Sequence, residues 1–398
     1  MTRTVLRGRV VTPLTVVEDG VVVVDGADLT WVGPAAQWPD GDRPAPSDAT
    51  LLPGLVDLHC HGGGGASFPD ATDEADVRQA AAEHLAHGTT SLVASLVTAG
   101  ASTLLDRTAL LARLADDGTI AGIHLEGPFL SRARCGAQDP RLMTAGDAQL
   151  VDDLLTAARG HLVTMTVAPE VPGVTGPGGV IDLLAGGGAV PSIGHTDASA
   201  EQVEVALAAA HAVLARSSAR SPRPTVTHLF NGMRPLHHRD AGPVAACLAA
   251  AAEGRAVVEL IADGVHLDGA TVRMVFAVVG ADGVVLVTDA MAAAGMPDGR
   301  YLLGPMSVRV TGGVARLVDG DAIAGGTAHL LDVVRSVVGA GVPLVRAVRA
   351  ASATPAAVLG RSDVGALEVG RRGDVVEVDS DLRPLRVMRA GRWVSRSG

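Results

Sequence analysis

Hydrophobic and polar positions alternate in two distinct textures along the 398 residues. From Thr4 to Val32, short β-branched runs such as Val21 to Val24 are broken by the turn pairs Asp19-Gly20 and Asp25-Gly26, which predicts small β-structure rather than helix. The same texture returns from Gly373 to Val394, with strands expected at Asp374 to Val378 and Leu385 to Met388, so the two ends are expected to pair into one small domain. Between them, a short apolar run followed by a longer Ala/Leu-rich segment recurs at roughly 25 to 45 residues. Eight such runs read as strands: 54–61, 89–95, 120–126, 162–170, 189–195, 225–230, 257–263 and 284–289. Helix-compatible sequence follows most of them, for example Glu74 to Ala86, Ala145 to Ala158 and Ala198 to Leu214.

Eight strand-helix units predict an α/β fold, a (β/α)8 TIM-like barrel. A doubly wound sheet shares the period. The polar residues favour the barrel, because they fall at the C-terminal ends of the strands, where barrel enzymes place their chemistry. Pro53-Gly54 and Gly370 to Gly373 mark the expected boundaries, giving a barrel at 53–360 and a small β domain built from 1–52 and 361–398.

Composition narrows the chemistry. All 32 basic side chains are arginine, so Schiff-base lysines, a Walker lysine and a carboxylated-lysine metal bridge are excluded. A net charge of −11 repels nucleic acid and anionic membrane surfaces, and neither is expected as a partner. The three cysteines, Cys60, Cys135 and Cys247, form neither a disulfide framework nor a CxxC pair and fit a reducing cytoplasm. No 18-residue apolar run and no signal-like N-terminus occurs, so a soluble, cytoplasmic protein is expected.

The first strand ends in His59-Cys60-His61. Strand side chains alternate, so both imidazoles face one side and Cys60 the other. A lone pair of this kind is also a common polar strand end, and the other tips decide between the two. The third strand ends at Glu126, the fifth at His195, the sixth at His228 and the eighth at Asp289. In a closed barrel these tips converge, and His59, His61, Glu126, His195, His228 and Asp289 together make an imidazole and carboxylate set suited to zinc or iron.

The motifs His-Leu-Glu-Gly-Pro-Phe (124–129), Gly-His-Thr-Asp (194–197), Thr-His-Leu-Phe-Asn-Gly-Met (227–233), Ala-Asp-Gly-Val-His (262–266) and Val-Thr-Asp-Ala (287–290) occur in this order. Together they resemble the metal-dependent amidohydrolase superfamily, and within it the N-acetylglucosamine-6-phosphate deacetylase family, from about Pro53 to the Ala-Gly-Gly-Thr segment at 324–327. The resemblance implies an amidohydrolase-type barrel with a β-sandwich domain from both termini, and Glu126 in the place a bridging carboxylated lysine often takes. It also implies one or two divalent metals, zinc or iron, per subunit. Some members lack the HxH pair and hold one metal through the equivalents of Glu126, His195 and His228; His59 and His61 are kept here, so a second metal is expected.

The activity so implied is hydrolysis of the acetamide of N-acetylglucosamine 6-phosphate, in amino-sugar catabolism or cell-wall sugar recycling, with metal-bound hydroxide as nucleophile. Asp289, by position and by resemblance, is expected as general base and then general acid. His266 matches a histidine that contacts substrate and helps polarise the carbonyl. Arg239, eleven residues after His228, matches a phosphate-binding arginine, with Arg234 as a competitor and Asn231 and Gly232 beside the sugar phosphate. Ala137 and the segment Ile323, Ala324 and Gly325 are placed at the sugar. The loop after Glu126 departs from members with a lysine and a histidine there: it reads Arg134-Cys135-Gly136-Ala137-Gln138, and Cys135 is a possible loop thiol near the metals. His237 and His238 are read as solvated loop residues. A homodimer is expected from the resemblance alone. N-acetylgalactosamine 6-phosphate or another N-acyl amide remains an alternative substrate, and a catalytically idle metal-binding scaffold the non-enzymatic alternative.

Overall fold

A computed structural model describes residues 3–39, 43–217 and 219–395; parts of the small domain expected at the two ends, 1–2, 40–42 and 396–398, lie outside the described residues. An eight-stranded parallel sheet carries the strands Leu55–Cys60, Thr89–Leu96, Gly122–Glu126, Leu162–Val167, Val190–Ile193, Thr225–Val226, Val257–Leu260 and Val284–Leu286, each paired with its neighbours in the sequence. The first and last strands close on each other beyond their ends, where Asp289 N–H donates to His59 O at 2.9 Å and His61 N–H to Ala290 O at 2.7 Å. A closed barrel therefore forms, not a doubly wound sheet.

Helices cover the outside, among them Glu74–Ala86, Ala148–Ala158, Ala200–Leu214 and Leu330–Gly339. Two start later than their composition suggests, for a local reason. The Asp147 side chain accepts from the N–H groups of Gln149 and Leu150, and Ser199 forms a capping box with Gln202, so these polar residues set the first turn.

The strands are also shorter than the apolar runs. The sixth pairs only over Thr225–Val226, and His195, His228, Phe230 and Asp289 all take positive φ (46°, 27°, 80° and 47°). These left-handed turns, costly for non-glycine residues, end the pairing and direct the tips into the barrel mouth.

Inside the barrel, Val56, Leu58, Val93, Val163, Val257, Val285 and Val287 pack together and are plugged by Ala356, Val358 and Leu359. A polar layer sits within the sheet. The Thr166 hydroxyl lies 2.7 Å from that of Thr227, which is 2.6 Å from Ser192 Oγ, and His124 spans Ser95 and Thr166 at 2.9 and 2.8 Å. These groups satisfy one another without solvent, which makes a buried polar layer tolerable.

The terminal strands form the β-sandwich domain. Its seven strands are ordered so that Thr50–Pro53 lies between Arg3–Val11 and Val375–Val378. Alternation along Val16–Asp25 sends Val22 and Val24 toward Leu6, Leu51, Val375 and Met388, and Val21 and Val23 toward Ala35 and Trp38. One further element was not expected: Gly299–Leu303, Met306–Thr311 and Val314–Leu317 make a three-stranded antiparallel sheet after the eighth barrel strand. None of the helices among the described residues is long and apolar enough to cross a membrane.

Candidate metal centre

The five strand tips meet as the sequence suggests. His59 and His61 project into the barrel, while the Cys60 thiol points outward to His84 Nε2 at 3.2 Å. Glu126 lies at the middle: its Oε1 is 2.9 Å from both His195 Nε2 and His228 Nε2, and its Oε2 is 3.2 Å from His61 Nε2. Asp289 Oδ1 stands opposite, 3.2 Å from His59 Nε2 and 3.1 Å from His61 Nε2. All six side chains are buried.

Outer contacts fix the rings. His61 Nδ1 faces Ser95 O at 3.1 Å, His195 Nδ1 faces Arg134 O at 2.8 Å, and His59 Nδ1 faces Glu259 Oε2 at 3.3 Å. Each contact leaves Nε2 pointing inward, as metal-ligating histidines require. His195 is flanked by Gly232, which has φ +61° and where an added Cβ would lie 2.9 Å from His195 Nδ1. A side chain there would displace the ring.

The charges need a counter-ion. Burial raises the Glu126 carboxyl, but the charge and hydrogen bond of His195, with hydrogen bonds from His228 and His59, hold it well below the usual range. Burial opposes protonation of His195, yet Glu126 raises its pKa. Two buried carboxylates with no arginine among the residues lining their cavity are thus balanced by protons on imidazoles or by a cation. Two ligand triads, His59-His61-Glu126 and Glu126-His195-His228, each place their ligand atoms within 4.8 Å of one another. The donor set fits divalent metal, with imidazole and carboxylate ligands and no thiolate.

A cavity of about 250 Å³ opens over the centre and is lined by His61, Glu126, His195, His228 and Asp289. Ala137, Asn231, Gly232, His266, Ile323 and Gly325 also line it. Ala324 is buried beside them and is not among the lining residues. Cys135 is half-buried outside the cavity wall. Arg239 is exposed on the surface and does not reach the cavity of its own chain. Arg234 is tied down, donating to Asp240 Oδ2 and Ala198 O, both at 3.0 Å. His266 Nδ1 lies 2.8 Å from Asp263 Oδ2; burial lowers its pKa, but this bond together with the charges of Asp263 and Asp289 outweighs the burial and the net shift is upward.

Three residues escaped the sequence reading. Gln138 donates to Glu126 Oε2 at 2.6 Å and accepts from the Thr98 N–H at 2.8 Å. Glu259 braces His59, and its signal was a charged residue inside the apolar strand Val257–Leu260. Leu303 reaches the cavity from the unexpected three-stranded sheet and carried no local signal.

The barrel, the ligand set and the sequence together place the chain in a class: it belongs to the amidohydrolase family, whose model matches residues 50–394. Among its relatives are amino-sugar phosphate deacetylases. The N-acetylglucosamine-6-phosphate deacetylase of Vibrio furnissii is 34% identical over 95% of this chain and 91% of that protein. The N-acetylgalactosamine-6-phosphate deacetylase of Escherichia coli O157:H7 is 35% identical over 87% of this chain and 89% of that protein. A crystal structure of N-acetyl-D-glucosamine-6-phosphate deacetylase from Mycobacterium smegmatis superposes with a TM-score of 0.89 at 39% identity, covering 99% of this chain and 100% of that chain; that protein was in complex with N-acetyl-D-glucosamine-6-phosphate.

Proposed function

We propose that the chain hydrolyses the acetamide of N-acetylglucosamine 6-phosphate to glucosamine 6-phosphate and acetate. The observation that carries the proposal is the convergence of four imidazoles with Glu126 and Asp289 beneath an open cavity, in a chain whose long matches include deacetylases of this kind. A divalent metal, zinc or iron, held by His59, His61, Glu126, His195 and His228 supplies an activated water and polarises the acetamide carbonyl. Asp289 lines the same cavity, with Oδ1 3.2 Å from His59 Nε2 and 3.1 Å from His61 Nε2, and its carboxylate would take up the proton of the attacking water and return it to the leaving nitrogen. His266 faces the same cavity with its Nδ1 occupied by Asp263, which leaves Nε2 free to donate toward the carbonyl oxygen. Asn231, Gly232, Ala137, Ile323 and Gly325 form the walls around the sugar, with Ala324 holding its segment in place.

The phosphate requires a cation, which the cavity walls do not provide. We assign Arg239 to it, reaching the neighbouring subunit of a homodimer; Arg fits because its planar fork binds two phosphate oxygens. The catalytic unit is the barrel of residues 53–360, flanked by the small domain of 1–52 and 361–398. The galacto epimer is a second reading, favoured by the E. coli relative. Acetate release from both phosphorylated epimers and from unphosphorylated N-acetylglucosamine, with metal-free protein and after zinc or iron is restored, tests the proposal. Asp289→Asn should lower turnover by about 10²-fold or more with bound metal retained. Turnover near wild type in that variant would remove Asp289 from its role, and no acetate from any of the substrates would overturn the assigned reaction.

A further inference from the structure

Away from the catalytic centre, a second group of imidazoles and carboxylates gathers on the outer wall of the barrel. Glu83 and His87 lie one turn apart at the end of the helix Glu74–Ala86, and His329 stands at the start of the helix Leu330–Gly339. Their ligand atoms lie within 4.8 Å of one another. Glu83 Oε1 is 2.8 Å from His329 Nε2 and 3.3 Å from His87 Nδ1. The other nitrogen of His329, Nδ1, faces Asp332 Oδ2 at 3.4 Å.

Three features mark this as more than a surface ion pair. First, the Asp332 carboxylate stands behind the His329 ring, its Oδ2 3.4 Å from Nδ1 and accepting the His329 backbone N–H at 3.0 Å, while Nε2 faces Glu83, an order of carboxylate and histidine like that which orients metal ligands. Second, room is left for the Glu83 carboxylate: a Cβ at Gly295 would lie 2.1 Å from Glu83 Oε1. Third, Glu83 and His87 line a cavity of about 780 Å³ together with Gly64, Gln79 and Arg335, while His329 lies buried behind them, which gives an entry path and space for water ligands. Two imidazoles with one carboxylate and a water make the donor set of a four-coordinate zinc site.

We propose that Glu83, His87 and His329 bind a divalent transition metal, zinc by their donor set, at a site separate from the catalytic centre. The His87 ring now stacks on that of His329, with centroids 3.6 Å apart, and must turn out of the stack to bind. Its side chain is 37% exposed, and turning would release the contact of its Nδ1 with Glu83 O at 2.8 Å. The metal would join the end of one helix to the start of another beside the loop that follows His61. Gln79 donates to Gly64 O at 2.7 Å, and His84 Nε2 lies 2.9 Å from Gly62 O, so the same helix already holds that loop. The role is structural: it pins the loop behind the HxH pair.

The test is a count of bound zinc. Metal-free full-length protein is saturated with zinc, freed of excess by gel filtration and analysed by mass spectrometry for metal per chain. The wild type is compared with His87→Ala, with Glu83→Gln and with Gln79→Ala, which lies on the same helix but supplies no ligand. His87→Ala and Glu83→Gln should each bind one equivalent fewer than the wild type, Gln79→Ala should bind the wild-type number, and acetate release at saturating zinc should stay within about twofold in all three. Circular dichroism confirms that each variant is folded. Equal zinc content in His87→Ala, Glu83→Gln and wild type overturns the proposal, as does loss of more than one equivalent, which would mean that the variants disturb the catalytic centre. The count reads this site even if the assigned reaction fails.

Discussion

Glu259 offers a direct test of the proposal that the HxH pair holds a second metal. It is 1% exposed, and its Oε2 lies 3.3 Å from His59 Nδ1 and 3.3 Å from the His228 backbone nitrogen. Glu259→Gln keeps the volume and an acceptor oxygen for both N–H groups but removes the charge. Hydrogen bonds to charged groups are worth about 1.5–3 kcal/mol and neutral ones about 0.5–1.5 kcal/mol, a difference of about 1–1.5 kcal/mol. That difference corresponds to roughly five- to tenfold in affinity. Glu259→Leu removes the acceptor as well, leaves His59 free to rotate, and should approach the roughly 100-fold loss seen when an outer-shell partner is deleted. The assay is calorimetric titration of zinc into metal-free protein in the His87→Ala background, so that only the catalytic centre is read. The equivalent held by His59 and His61 should weaken by these factors. The one held by Glu126, His195 and His228 should change by less than about threefold in Glu259→Gln, because the His228 N–H keeps its acceptor. Unchanged affinity for both equivalents in Glu259→Leu would refute the idea that this carboxylate sets the orientation of His59.

Arg239→Ala should raise KM for the phosphorylated substrate at least about tenfold while leaving turnover of the unphosphorylated sugar unchanged, since it removes a charge-assisted phosphate contact; equal effects on both substrates would exclude the phosphate role. Alkylation of native protein at pH 8 should modify Cys135 alone, because Cys60 and Cys247 are fully buried and burial pushes the Cys247 thiol up to about 12; peptide mapping that finds labelled Cys247 before unfolding would contradict the packing. Burial, then the neighbouring His329 charge, lowers His84 to about 4 from an ordinary value of 6.5. The folded state therefore binds fewer protons than the unfolded one between these values, and the contribution of His84 is fully present above pH 6.5 and is lost as pH falls toward 4. At its full extent it is about 3 kcal/mol. Urea unfolding of metal-free protein should show a shallower loss of stability over this window in His84→Leu than in wild type, and identical slopes would refute it.

The barrel was legible because strands buried on both faces read as continuous apolar runs and because the helices between them carry a different texture. Strand length was not. His228 and Phe230 take positive φ, a conformation that apolar patterning does not signal, so the run 225–230 promised six residues where two pair. The sheet at 299–317 did leave a trace, since Ser307, Arg309 and Thr311 are exposed while Val308 and Val310 are buried. The six centre residues were legible from their types at the strand tips, whereas their supports were not: Glu259 acts on a residue 200 positions away, and only folding shows which histidine it faces. Arg239 was placed by resemblance, and the single chain leaves it outside the cavity it was expected to serve.

The geometry of Glu126 explains why the two halves of the centre are separable and yet linked. Its two oxygens divide the histidines, Oε1 facing His195 and His228 at 2.9 Å each and Oε2 facing His61 at 3.2 Å. A chain with no lysine cannot form the carboxylated bridge, and a glutamate supplies the same pair of oxygens without a covalent modification. If both positions were filled as proposed, one carboxylate would serve both, and the second metal would be expected to bind more weakly than the first. The half that includes His59 and His61 lacks a carboxylate of its own apart from Asp289, whose Oδ1 is also the expected proton carrier. A proton taken up by Asp289 weakens its hold on that half, so the HxH pair, braced from behind by Glu259 and Ser95, is the part of the centre whose occupancy the protein has to secure from outside the cavity.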